Sequence, residues 1–222
     1  LKKKFLLNRS NKPANDLYLI IVRKIKNTRE VGYMDIKKIS DILHRMEQQK
    51  PEVLSHCERT AMLCYVTGKE LKLSPEELEL VYCAGLLHEV GRLDIPTQIF
   101  IGKGEIVIDA EKVYPFFTVS VLKNYEEFSQ LENIIMQHQE NHNGSGYPNG
   151  IKGDEISVYA RILRIADFYD SLRMSGLSHD ETTKELRKNS EIIYPNRIIT
   201  PFIKSVINNK LQFEYGEKDK IE

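Results

Sequence analysis

The sequence predicts an all-α bundle. Apolar residues recur at intervals of three and four along most of the chain, and helix-start signals stand ahead of these runs. A third observation is a strongly apolar segment over 158–172 that suits a helix buried in a bundle. With 222 residues, 41% hydrophobic and 29% charged, the chain has the composition of an ordinary globular protein. That length allows one domain with an extension and a core of useful size.

Taken in order, Tyr33 to Gln49 places Met34, Ile36, Ile39, Ile42, Leu43 and Met46 on one helical stripe. Pro51 stands where a second helix begins, a position at which its missing N–H costs little, and that helix continues towards Lys69. Ser74-Pro-Glu-Glu77 is a capping-box pattern opening a third helix to about Val90, with Gly91 expected to close it. Residues 97–110 read as irregular. A helix is expected from about Ala110 to Lys123, with Pro115 in its first turn, and another from Glu127 to Asn141. Asn143-Gly-Ser-Gly-Tyr-Pro-Asn-Gly150 is a loop by composition. The apolar helix from Val158 to Leu172 follows, then weaker helices over 178–190 and 197–209, and a polar tail beyond Phe213. No internal repeat is visible.

Composition also excludes some classes. Cys57, Cys64 and Cys83 form no CxxC pair and no disulfide framework, which fits a reducing, cytoplasmic setting. The longest apolar stretch, Leu17-Tyr-Leu-Ile-Ile-Val22, falls far short of the ~18–20 residues a membrane span needs. A net charge of zero conceals a basic first part: residues 1–50 carry a net +8 and the remainder −8. Such a face is more often solvated than bound, so no specific nucleic-acid binding is predicted. The chain opens on Leu1 rather than Met, which reads as a piece of a longer protein and leaves a signal peptide or a further domain open.

Four places put metal-capable side chains on helices expected to be buried. Glu52 and His56 are spaced i and i+4 on one face. His88-Glu89 ends an apolar helix, His138 ends another, and Asp167 lies within Arg161-Ile-Leu-Arg-Ile-Ala-Asp-Phe-Tyr-Asp170. Singly, each has an ordinary reading: a surface or hydrogen-bonded histidine, a solvent-facing Glu89, an Asp167 that caps or pairs with Arg164. Asp167 fits that reading least well, because a buried acid among Ile and Ala needs a cation or donors. A mixed imidazole and carboxylate set suits divalent transition ions (Mn, Fe, Ni or Zn) better than calcium. Spacing alone leaves a metal centre and a plain bundle both open.

The order of these pieces resembles the HD superfamily of metal-dependent phosphohydrolases, and more closely its HD-GYP branch. The resemblance rests on Leu54-Ser-His-Cys-Glu-Arg59, on Leu86-Leu-His-Glu-Val-Gly-Arg-Leu-Asp-Ile-Pro96, on His138-Gln-Glu-Asn-His-Asn-Gly-Ser-Gly-Tyr-Pro148, and on Ala160-Arg-Ile-Leu-Arg-Ile-Ala-Asp-Phe-Tyr-Asp170. It implies an HD-type helical bundle over 51–212, preceded by a basic extension or linker with a helix over 1–50 and followed by a tail over 213–222. It further implies cleavage of a cyclic dinucleotide, chiefly cyclic di-GMP, by metal-activated water. Carried over by position, Glu52, His56, His88, Glu89, His138 and Asp167 would be metal ligands. Arg92 and Glu89 would serve the chemical step, and Arg161 and Tyr147 the substrate. Relatives of this kind often follow a sensory or receiver domain, so an upstream domain is an expected partner.

Several positions depart from the family's pattern. Its His-Asp pair is His88-Glu89 here, and the extra methylene moves the carboxylate by about 1–1.5 Å. A lysine is replaced by Arg92, and a ligand histidine before proline by Tyr114. The second of two paired histidines is Gln139, the usual aromatic is His142, and the substrate-gripping segment is shortened to Arg173-Met-Ser-Gly-Leu177. His44 and His179 match no motif and read as surface residues. These departures predict one or two ions rather than three. They leave two readings open: a phosphodiesterase of reduced activity, or a catalytically degenerate HD-GYP module acting as a signalling or protein-interaction domain.

Overall fold

A computed structural model describes residues 34–95, 99–101, 104–106 and 109–209. The expected basic arm ahead of residue 34 and the polar tail after 209 lie outside the described residues. Among those described, eight α-helices account for nearly all of the regular structure.

Helix α1 (Ile36–Gln49) begins three residues later than the apolar stripe suggested, because Asp35 caps it by accepting from the amides of Lys37 and Lys38. It buries Ile39, Ile42, Leu43 and Met46. Helix α2 (Pro51–Glu70) starts on its proline as expected and forms the centre of the bundle, packing on α3 (Pro75–Leu87), α6 (Val158–Met174) and α8 (Asn196–Asn209). The capping box at Ser74 and Glu77 is present in both directions.

Where α3 ends, structure and expectation part. The helix stops at Leu87, His88 is its C-terminal cap, and a 3-10 turn over Val90–Leu93 follows. Gly91 therefore does not close the helix. Its lack of a side chain serves a close approach instead: a Cβ there would lie 2.1 Å from the Thr118 amide nitrogen. Thr118 joins the two segments, accepting from the Gly91 amide at 3.0 Å and donating to the His88 carbonyl at 2.9 Å.

Residues expected to be irregular include a short antiparallel hairpin, β1 (Ile99–Ile101) with β2 (Gly104–Ile106). Helix α4 (Ala110–Leu122) carries Pro115 in its second turn, not its first. A 3-10 turn over Glu126–Phe128 leads into α5 (Ser129–Gln137), which is shorter than its predicted span. The glycine loop then runs to α6, which Ser157 caps, and α7 (His179–Lys188) opens on a second capping box, Ser178 with Glu181. The core includes fully buried Leu63, Leu87, Phe128, Leu163 and Phe202. Each such side chain contributes about 1.5–3 kcal/mol. No helix among the described residues is long and apolar enough to cross a membrane.

Candidate metal centre

The centre forms where α2, α3 and α6 meet. Gly85 on α3 brings the first two together, since a Cβ there would come within 2.6 Å of the Ala61 Cα. This contact between backbones holds His56 of α2 and His88 at the end of α3 with ring centroids 5.3 Å apart. Helix α6 supplies Asp167 and, one turn later, Asp170.

Each histidine is held by its Nδ1. His56 Nδ1 donates to Asp170 Oδ2 at 2.7 Å, and His88 Nδ1 donates to the Gly85 carbonyl at 2.8 Å. A carbonyl only accepts, so His88 Nδ1 carries a hydrogen, and Nε2 is the nitrogen that faces inward and offers a lone pair to an ion once its own proton is displaced. His56 Nε2 lies 3.1 Å from Asp167 Oδ1, and His88 Nε2 lies 3.9 Å from the same oxygen. At that distance His88 Nε2 makes no hydrogen bond, although it is fully buried. The ligand atoms of His56, His88 and Asp167 all lie within 4.8 Å of one another. An ion about 2.0–2.2 Å from each donor needs donors roughly 3–4 Å apart, as His56 Nε2 and His88 Nε2 are from Asp167 Oδ1. The three residues fit a divalent ion.

Electrostatics favour a cation at the same point. Burial alone would keep the Asp167 carboxyl neutral, but the bond to His56 and the nearby imidazole of His88 hold its pKa well below the usual carboxylate range. Burial likewise disfavours charged imidazoles. Even so, Asp167 and Asp170 push His56 up to about 10, and the Cys57 sulfur and Asp167 pull His88 up to about 10. Asp170 is balanced by Arg59, which donates from Nε at 2.7 Å and from its terminal nitrogen at 2.8 Å. Among the described residues, the ion-pair partners of Asp167 are only the two imidazoles. A buried anion matched only by weak bases draws in protons or a metal.

Glu89 and His138 border this group differently. Glu89 Oε1 accepts from Arg92 Nε at 2.6 Å, and Arg92 stacks over the Tyr114 ring at 4.2 Å. Glu89 shares a second possible ligand group with His88 and Cys57, whose Sγ lies 3.8 Å from His88 Nδ1. His138 is fully buried, with its ring 5.6 Å from that of His88, and Nδ1 donates to the Ile135 carbonyl at 2.5 Å. Its Nε2 is engaged by the Tyr114 hydroxyl at 2.6 Å and lies 3.1 Å from Gln139 Nε2. Burial and the neighbouring His88 push the His138 pKa down to about 3, so the ring is neutral.

The HD domain family model matches residues 40–194 of the chain. The chain belongs to the HD domain family. A cyclic di-GMP phosphodiesterase response regulator, RpfG, from Xanthomonas campestris pv. campestris is 28% identical over 155 residues, which cover 68% of this chain and 41% of that protein. A 3'3'-cGAMP-specific phosphodiesterase 3 from Vibrio cholerae is 30% identical over 130 residues, 57% of this chain and 28% of that protein. This HD chain thus spans less than half the length of those two relatives. Among solved structures, Bd1817, an HDGYP-type protein from Bdellovibrio bacteriovorus, superposes with a TM-score of 0.59 at 18% identity, covering 90% of this chain and 74% of that one. The resemblance to HD-GYP proteins drawn from the motifs agrees with these relatives, and the structural likeness shows the same helical fold.

Within this HD domain the residues proposed from sequence do not all converge. His56, His88 and Asp167 do, with Glu89 and Arg92 at their edge. Glu52 is exposed at the start of α2 and belongs to neither ligand group. Arg161 is buried six residues before Asp167, where it donates to the Gly153 carbonyl and to Asp154, bracing the end of the glycine loop. Tyr147 is half-buried in that loop, its amide donating to the Gln139 carbonyl at 3.3 Å. His142 lies 3.4 Å from Glu191, and exposed His44 bonds Gln48, as a surface residue would. His179, also read as a surface residue, is half-buried against the Tyr169 hydroxyl at 2.9 Å.

Sequence reasoning passed over Asp170 and Arg59. A signal was available, since Asp170 follows Asp167 by three residues and Arg59 follows His56 by three, the spacing of neighbours on one helical face. Replacing Asp170 with asparagine leaves one oxygen to serve both His56 and Arg59 and turns amide hydrogens towards a donor. Loss of such an orienting partner costs about 10–100-fold in metal affinity. Calorimetric titration of Asp170→Asn with zinc should show that fall. Wild-type affinity in a folded variant would mean that Asp170 does not orient the ligand.

Proposed function

We propose that this domain is a metal-dependent phosphodiesterase acting on cyclic dinucleotides. The observation that carries the proposal is the convergence of three ligand atoms, two of them on imidazole rings already held from behind. His88 Nε2 is buried and unbonded, His56 Nε2 is aimed at Asp167, and among the described residues Asp167 has only these imidazoles as ion-pair partners. The substrate class follows from relatives named for cyclic di-GMP and 3'3'-cGAMP.

A divalent ion held by His56, His88 and Asp167 would polarise a phosphoryl oxygen and acidify a water molecule. The chain's own residues supply the rest. Asp170 and the Gly85 carbonyl keep both imidazoles in the ligand tautomer. Arg92, positioned by Glu89 and by the face of Tyr114, places positive charge beside the centre, where it would offset charge developing on the phosphoryl group. Glu89, joined to Arg92 through Oε1, would act on the phosphoryl group through that guanidinium. The buried cysteines Cys57, Cys64 and Cys83, none of them in a disulfide, suit a cytoplasmic setting.

The experiment is direct. Protein loaded with manganese or iron is incubated with cyclic di-GMP and with 3'3'-cGAMP, and linear products are followed by chromatography. Turnover that His88→Ala removes is the expected result. A metal-loaded protein that cleaves neither, nor a generic phosphodiester, would favour the second reading, a non-catalytic HD module. The engagement of His138 Nε2 by Tyr114 is the observation on that side.

A further inference from the structure

We infer that the centre takes a single ion, and that a network of side chains from Tyr114, His138, Gln139 and Arg164 closes the corner at which a further ion would sit. This deepens the metal-dependent reading and rests on it. His138 has the tautomer of a ligand, with its hydrogen on Nδ1 and its lone pair directed into the site. That lone pair is already used. The Tyr114 hydroxyl donates to it at 2.6 Å and in turn accepts from Gln139 Nε2, also at 2.6 Å.

The orientation of the Gln139 amide follows from its other end, because Oε1 accepts from Arg164. Its nitrogen must then face the site, where it lies 3.4 Å from Asp167 Oδ2 as well as beside His138. A donor therefore stands at each atom that an ion at this corner would require. Tyr114 is 1% and Gln139 6% exposed, and replacing these bonds with an ion means breaking at least two buried hydrogen bonds. Positive charge comes to this flank from two guanidiniums instead, Arg92 over the Tyr114 ring and Arg164 behind Gln139. Tyr114 and Gln139 are thus positioning residues that set how many ions the centre holds.

The test is the number of ions per chain. Wild-type protein equilibrated with manganese, freed of excess and measured by plasma mass spectrometry should hold one. The double variant Tyr114→His, Gln139→His replaces both donors with imidazoles and should hold two. Two ions in the wild type would overturn the inference and leave the proposed function standing. No ion in the wild type would overturn both. One ion in a double variant that keeps wild-type circular dichroism would also overturn the inference. Should that variant not fold, imidazole 15N spectra of the wild type titrated with zinc decide the matter. The Nε2 resonances of His56 and His88 should make the large shift of a coordinated nitrogen while that of His138 does not, and a coordinated His138 would end the proposal.

Discussion

Asparagine at position 167 is expected to abolish stoichiometric ion binding while leaving the ion-free fold in place. Asp167 is the anionic member of the converging group, and its Oδ1 faces both His56 Nε2 and His88 Nε2. An amide oxygen at that place carries no charge and is a poor ligand for a first-row divalent ion. The loss should exceed the roughly 100-fold that removal of a supporting residue costs. Ion-free stability responds differently. Without the carboxylate, His56 and His88 no longer have Asp167 holding up their pKa values, and burial favours their neutral forms. No unpaired buried charge is left behind. Calorimetry for affinity and circular dichroism for helicity separate the two effects. Wild-type affinity in Asp167→Asn would place the ion elsewhere.

Gly85→Ala is expected to weaken the centre together with the fold, although it adds only one methyl group. In an isolated helix the substitution would stabilise by about 1 kcal/mol. Here the new Cβ would meet Ala61 Cα at 2.6 Å, Ala61 N at 2.9 Å and the Thr60 carbonyl carbon at 3.2 Å, all of them backbone atoms. Helices α2 and α3 have to separate, and overpacking of this kind costs about 3 kcal/mol at the upper end of its usual range. For a chain of this size that is a fall of roughly 6–12 °C in Tm. The same movement displaces the Gly85 carbonyl, which holds His88 Nδ1, so ion affinity should fall in parallel. Thermal denaturation with and without zinc tests both parts. A variant as stable as the wild type would mean that the two helices do not depend on this contact.

Much of the fold was legible because its signals are local. The capping box at Ser74 and the proline at the head of α2 act within one helical turn of themselves, and each opens a helix where expected. Gly91 was misread for the same reason. A glycine after an apolar helix has the local form of a C-terminal cap, whereas its actual constraint is the backbone of α4, 27 residues away at Thr118. Pro115 was placed too early in its helix because proline is easiest to accommodate in a first turn, yet α4 carries it in the second.

The chain by itself determined which chemistry was available. Imidazoles at His56 and His88 and a carboxylate at Asp167, set among apolar residues on helices, are a donor set that suits a transition-metal ion, while their spacing alone left a plain bundle open as well. Tertiary structure alone decided how each group is used. It left Glu52 exposed at the start of α2, and it tied Arg161 to the glycine loop. It also placed Asp170 behind His56 across 114 residues of sequence, and Tyr114 against His138 across 24. The physical reason is that a ligand is made by its second hydrogen bond as much as by its identity. The partners for those bonds come from other helices, so they are settled only when the helices pack.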